Sequence, residues 1–392
     1  MSPPAIVFSS ARALNGSDAA NTNGARNIWV VSADGTVATP LTGDTAAGVR
    51  NGDAVWSPDT TTIVFDSNRP SVGPNINSGN DIWIMKADGT GLSGLTEIGT
   101  VPIGSARNPD WSPDSRKLAF TDTCCGLSSE SDVAVMNADG SGFVLLTSVP
   151  VFAAPGVGSF VPHWSPNGSK LIFVSQLAVD NTPALNLNTT ANIWVMNADG
   201  SGQAALSKVT VKNADCSEPV WSPDGSRLAF VSARALDGSD ATDPNNTSNI
   251  WLMNADGSGL TPMTRLTAAG AASTAPVWSL DGSKLAFESS GDLDGSDNPN
   301  TNMTVNIWIM DADGTGVTPL TKLTAANASS HDPAWSPGGL QIAFDSLRAL
   351  DGNDSANASS NIWIINADGS GATPLTRNTA VGADSQQPKW RP

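Results

Sequence analysis

Few side chains in this sequence have the chemistry to cut, transfer or hold a metal. There are two histidines and three cysteines in 392 residues, and no tyrosine. His163 stands beside Trp164, and His331 precedes "DPAW". No G-x-S-x-G and no H-E-x-x-H occurs. His331 with Asp332 and Ser329 or Ser330 can be drawn as a hydrolytic triad. Neighbouring strand residues point to opposite faces, so that drawing is poor and no catalytic residue is assigned. A more regular pattern lies just before each "P-x-W" place, at Asp53, Asn108, Val161, Glu218, Ala275, Asp332 and Gln387. Three carboxylates from three repeats, meeting at a channel mouth, could hold a divalent cation through oxygen ligands. His331 is near enough in sequence to join them, which suits a transition metal. The alternative is a water-filled acidic funnel with no fixed ion. Asp53, Asn108, Glu218, His331, Asp332 and Gln387 are therefore the metal or ligand candidates at that mouth.

A second acidic set lies in loops. "ALDGSDATD" carries Asp237 and Asp240, "DLDGSDN" carries Asp292, Asp294 and Asp297, and "ALDGND" carries Asp351 and Asp354. Short acidic runs with Gly resemble the start of a calcium loop, so Ca2+ or another divalent cation is a possible cofactor, although none has the complete spacing. The same "LDGSD" core also makes a good turn with Gly left-handed. Cys124 and Cys125 are adjacent and can form a strained vicinal disulfide in an oxidising compartment, or remain two thiols.

The elements that must position these residues are written as a repeat. "WSP" or a close variant begins at Trp56, Trp111, Trp164, Trp221, Trp278 and Trp335, and "KWRP" puts a seventh Trp at 390. Seven apolar runs end at Phe8, Phe65, Phe120, Phe173, Phe230, Phe287 and Phe344, and seven "NIWV"-type runs follow, each with "ADG" and a "TPLT"-like run. Four strand signals per unit of about 55 residues predict a seven-bladed β-propeller, all-β, with four antiparallel strands per blade. The chain starts at a second strand and ends with a first strand. Residues 385–392 should therefore complete the blade formed by 4–42, closing residues 1–392 into one domain without an open edge. "SPDG" and "ADG" read as short turns. The longer connections share the opposite face, where binding is expected.

Composition narrows the partners. Acidic residues outnumber basic ones 37 to 20, a net of −17, which argues against nucleic acid and favours a basic partner. All 13 Trp and seven of the ten Phe occupy repeat positions. Few aromatics remain on which a sugar or base would stack. No run of about 20 apolar residues is present, so no membrane insertion is expected, and the start has no signal-peptide pattern.

The unit "P-x-W-S-P-D-G", strand, loop, "I-W-V-M-N-A-D-G", strand resembles the TolB-like β-propellers, over essentially the whole chain. The resemblance implies a propeller serving as a protein-binding module, a peptidase gate or, in some relatives, a polysaccharide-degrading enzyme. It also suggests a periplasmic or extracellular location. The expected function is a non-catalytic scaffold, a monomer, that binds a protein or peptide on the acidic long-loop face, a basic one by charge complementarity. The alternatives are a metal-dependent lyase or hydrolase at the channel mouth, with Asp53, Glu218, His331 and Asp332 at work, and a structural repeat module of a larger exported protein.

Overall fold

A computed structural model describes residues 4–17, 19–21, 23–70, 79–96, 104–123, 130–147, 158–180, 189–296, 298–300 and 302–392. Cys124, Cys125 and Asp297 lie outside the described residues. Among those described, 28 strands form seven four-stranded antiparallel sheets, and there is no helix. The protein is a seven-bladed β-propeller. Blade one has strands Ala5–Ser10, Asn27–Ser32 and Ala38–Pro40, and the C-terminal strand Ser385–Trp390 completes it. Ile6 faces Trp390 and Ser10 faces Ser385 across that join. The first strands of blades two to seven are Asn51–Trp56, Ser105–Trp111, Ser159–Trp164, Cys216–Trp221, Ser273–Trp278 and Ser330–Trp335.

By contacts the chain forms two compact units. One comprises Met1–Arg69, Ile84–Leu92 and Gly270–Pro392, and so contains blades one, six and seven with the first two strands of blade two. The other comprises Pro70–Trp83 and Ser93–Ala269, and so contains blades three, four and five.

The second and third strands read as unbroken apolar runs because both faces are covered by neighbouring sheets. Phe8, Phe65, Phe120, Phe173, Phe230, Phe287 and Phe344 are all at most 1% exposed. The Asn opening each "NIW" is buried among these apolar groups, so it must be fully bonded. In blade five, Asn249 Oδ1 accepts from Thr264 Oγ1 at 2.9 Å and from Leu266 N–H at 2.8 Å. Its amide donates to Leu266 O at 2.9 Å. This bracket ties the fourth strand to the third. Blade three departs from the pattern. Ala134 stands where six siblings have Trp, and Phe143 lies 6.1 Å from Phe120 between ring centroids.

The short turns are built around aspartate. In blade five, Ser222 Oγ donates to Asp224 Oδ1 at 2.6 Å, Ser226 N–H donates to the same oxygen at 3.0 Å, and Gly225 turns the chain at φ +69°. Hydrogen bonds from Ser222 and Ser226 lower the Asp224 carboxyl from 3.8 to about 2, and the turn bonds of Asp281 and Asp34 do the same. A carboxyl lowered by folding stabilises the fold above its unfolded value and loses that contribution as pH falls through the folded one. The melting temperature should therefore drop between about pH 4 and about pH 2, measured by circular dichroism. Asp224→Asn should flatten the drop, because Asn167 already makes the same bonds in blade four, to Ser169 N–H at 3.0 Å and Ser165 Oγ at 2.9 Å. An unchanged acid limb in the variant would remove the turn carboxylates as its cause.

Candidate functional site

Every first strand is bulged at the same place. Asp53, Asn108, Val161, Glu218, Ala275, Asp332 and Gln387 all have positive φ, between 47° and 58°. The pairing with each second strand shifts register there, as between His331 and Ala334. The next residue is Pro in six blades, so the bulge carries no stranded N–H at that point. A left-handed non-glycine residue is costly, more so the β-branched Val161, and persists only where the surroundings hold it.

Side chains of the preceding blade do the holding. At three junctions the residue after the repeat's Phe reaches across and accepts the N–H of the bulge residue. Thr121 Oγ1 takes Val161 N–H at 3.0 Å in the second unit. In the first unit Glu288 Oε1 takes Asp332 N–H at 2.8 Å and Asp345 Oδ1 takes Gln387 N–H at 3.4 Å. Ser9 is too short for this role in blade one. There Gln387 itself reaches blade two, accepting Asp53 N–H at 3.3 Å and donating to Asp53 Oδ1 at 2.7 Å.

At the junction of blades six and seven this arrangement gathers charge. Glu288 Oε2 also bonds His331 Nδ1 at 2.9 Å, so one carboxylate grips both a backbone N–H and an imidazole. The Glu288 side chain is 12% exposed, whereas that of His331 is 41% exposed. Asp345 lies opposite His331 in the strand register and is 3% exposed. Burial pushes its carboxyl well above the usual range, and the charge of Asp332 adds to this, against the Ser360 hydroxyl and His331. The bond from Glu288 raises His331, against its partial burial, with Asp345 and Asp332 reinforcing. Arg26, bonded to Gln386 Oε1 at 2.5 Å, is the nearby cation that interacts with Asp345 and Asp384.

The sequence candidates are thus divided. Asp53, His331, Asp332 and Gln387 belong to the first unit and join through Glu288 and Asp345, while Asn108 and Glu218 occupy the matching bulges of the second. At the bulge the register shifts between His331 and Ala334, and Glu288 meets the His331 ring and the Asp332 backbone N–H. Among the described residues, no three His, Cys, Asp or Glu side chains are grouped to hold a metal ion. Glu288 and Asp345 were not legible as site residues. The cue was a carboxylate inside an apolar run, in the place filled by Val174 and Val231 elsewhere.

The acidic loops bond within their own turns and to the connection that leads in from the preceding blade. Asp237 accepts Ser239 N–H at 2.8 Å, Asp294 accepts Ser296 N–H at 2.7 Å and Asp351 accepts Asn353 N–H at 3.0 Å. Asp240 accepts Thr210 N–H at 3.0 Å, and Asp354 accepts Thr324 N–H and Ala325 N–H, each at 2.9 Å. Asp292 closes its turn through its backbone N–H, which donates to Asn298 O at 2.8 Å. An arginine anchors the matching loop in blades one, five and seven, buried at Arg12 and Arg234 and half-buried at Arg348. Arg12, Arg234 and Arg348 lie over Trp29, Trp251 and Trp363 at 5.1, 5.5 and 4.8 Å. Each donates to the carbonyl of the loop glycine, Gly16, Gly238 or Gly352.

No family profile matches the chain. An uncharacterised protein of Agrobacterium fabrum is 29% identical over 180 residues, 45% of this chain and 53% of its own length. The uncharacterised peptidase YuxL of Bacillus subtilis is 28% identical over 237 residues, 54% of this chain and 33% of its own. A TolB homolog of Chlorobium luteolum is 30% identical over 173 residues, 44% of this chain and 31% of its own. The chain therefore spans about a third to half of the length of these relatives. Among solved structures, TolB from Acinetobacter baumannii has a TM-score of 0.50 at 15% identity, over 94% of this chain and 79% of that one. An oligogalacturonate lyase in complex with manganese has a TM-score of 0.55 at 14% identity, over 96% and 86%. At these identities the structures speak for the fold alone. In fold this chain is a seven-bladed β-propeller, and in sequence pattern it is similar to the TolB homolog and the other relatives above.

Proposed function

We propose that the chain is a binding scaffold that takes a protein or peptide through basic side chains, on the face carrying the first-strand bulges. The observation that carries this reading is the group Glu288, His331, Asp332 and Asp345. Two blades supply it, backbone bonds fix it, and it is open to solvent through the half-exposed imidazole. A site built on rigid strands holds its carboxylates in place and loses little entropy on binding. The net charge of −17 speeds the approach of a cationic partner. The TolB homolog among the relatives supports a scaffold reading and a periplasmic or extracellular setting.

The test is calorimetric titration with tetra-arginine and, as control, tetraglutamate at low salt. Binding of the basic peptide alone is expected. Asp332→Asn should weaken it about tenfold, the loss of about 1.4 kcal/mol. An equal Kd in the variant, or equal binding of the acidic control, would overturn the reading.

A further inference from the structure

His331 is the feature of this group that a plain acidic patch would lack. Its Nδ1 is committed to Glu288 at 2.9 Å, which leaves Nε2 as the free ring nitrogen of a side chain 41% exposed. With Nδ1 held by a carboxylate, the tautomer is fixed and Nε2 is an acceptor when the ring is neutral, a donor when it is charged. At the junction of blades three and four the other histidine is held more loosely: His163 Nδ1 lies 3.7 Å from Asp110 Oδ2, an oxygen that accepts Trp164 N–H at 2.8 Å. Thr121 serves Val161 with a neutral hydroxyl, and Asp345 serves Gln387, whose side chain carries no charge.

We propose that His331 gates the basic-ligand site: as an imidazolium it acts as a built-in competing cation among Glu288, Asp332 and Asp345, and as a neutral ring it yields their field to the ligand. This rests on the binding reading above and adds its regulation. The charged groups facing His331 come from three strands. Glu288 comes from the second strand of blade six, Asp332 from its own strand, and Asp345 from the second strand of blade seven. Arg26 and Asp384 of blade one lie beyond Asp345. The bond from Glu288 raises His331 above its ordinary value of 6.5, which brings the gate nearer to neutral pH. Affinity for a basic ligand therefore rises as pH rises through the His331 midpoint. Deprotonation of the buried Asp345 would act in the same direction, so the two must be separated.

Tetra-arginine is the probe, because its side chains do not titrate in this range. Its affinity for the native protein should increase about tenfold between about pH 5.5 and about pH 8.5. His331→Gln should bind with most of that slope gone, whereas Asp345→Asn should keep it. The chain has two histidines, so proton NMR can follow each ring separately. His331 should titrate above 6.5 in the native protein and lower in Glu288→Gln. A native slope retained in His331→Gln, or a His331 midpoint unmoved by Glu288→Gln, overturns the gate. If tetra-arginine binds at no pH, the binding reading fails and the gate with it. If it binds equally at both, the gate alone fails.

Discussion

Removing residues 385–392 should abolish the soluble, folded monomer. The strand Ser385–Trp390 is the first strand of blade one, and it is supplied from the far end of the chain. It pairs along Ala5–Ser10 and lies against Asn51–Trp56 of blade two and Ser330–Trp335 of blade seven. Trp390 is 8% exposed, and Ile6 and Phe8 beside it are fully buried. Gln387 is also the side chain that holds Asp53 in its left-handed bulge. Losing a buried Trp alone costs about 3–5 kcal/mol, and the severed strand pairing adds about 1 kcal/mol per bond. That sum reaches the whole stability of an ordinary domain. Ala5–Ser10 would be left as a long, apolar open edge, a template for pairing between chains. Light scattering coupled to gel filtration should show aggregates, and calorimetry should show no cooperative transition. A truncated chain that stays monomeric with the native melting temperature would show that the strand is dispensable.

How far the sequence could be read depended on what repeats. Blade number, strand order and the closing strand were legible because Trp, Phe, "ADG" and "SPDG" recur at a constant period. Each marks a physical requirement that recurs with it: core filling for the aromatics, capped turns for the aspartates. The bulge positions were legible too, as the residues before "P-x-W", although their left-handed backbone was not. It arises from a register shift between strands, which no single strand displays. Glu288 and Asp345 were missed for a related reason. Their place takes Ser9, Asp66, Thr121, Val174 and Val231 in other blades, so no residue type marks it. Its role appears only when one blade's second strand is set beside the next blade's first. In the long acidic loops the turn reading of the sequence has local partners in the structure. Asp237, Asp294 and Asp351 recur because each caps its own turn, and Arg12, Arg234 and Arg348 recur beneath because the loop must be anchored to a Trp. Recurrence there reports local folding, and the uneven positions carry the charge that distinguishes one blade from another.

The same reasoning yields a quantitative expectation for the aromatic core. Trp251 is fully buried in blade five, and Arg234 lies over its ring at 5.5 Å. Trp251→Ala should destabilise the protein by about 3–5 kcal/mol, read from denaturant unfolding. It removes the packing of the ring and takes away the surface on which a 4%-exposed guanidinium rests. Blade three shows how a blade survives without this Trp. Its Ala134 is fully buried, and Phe143, from the turn before the fourth strand, lies near Phe120. The residue in register with Phe143 in blade five is Leu260, which packs at the margin of the Trp251 cluster. Leu260→Phe should therefore restore part of the loss, on the order of 1–2 kcal/mol, when combined with Trp251→Ala. Alone, in the presence of Trp251, it should be neutral or mildly destabilising, because the space is already filled. The double-mutant cycle decides the matter. A favourable coupling means that blade three's exchange of aromatics is portable around the repeat. Simple additivity would mean that Ala134 is tolerated for another reason and that Phe143 does not replace the missing ring.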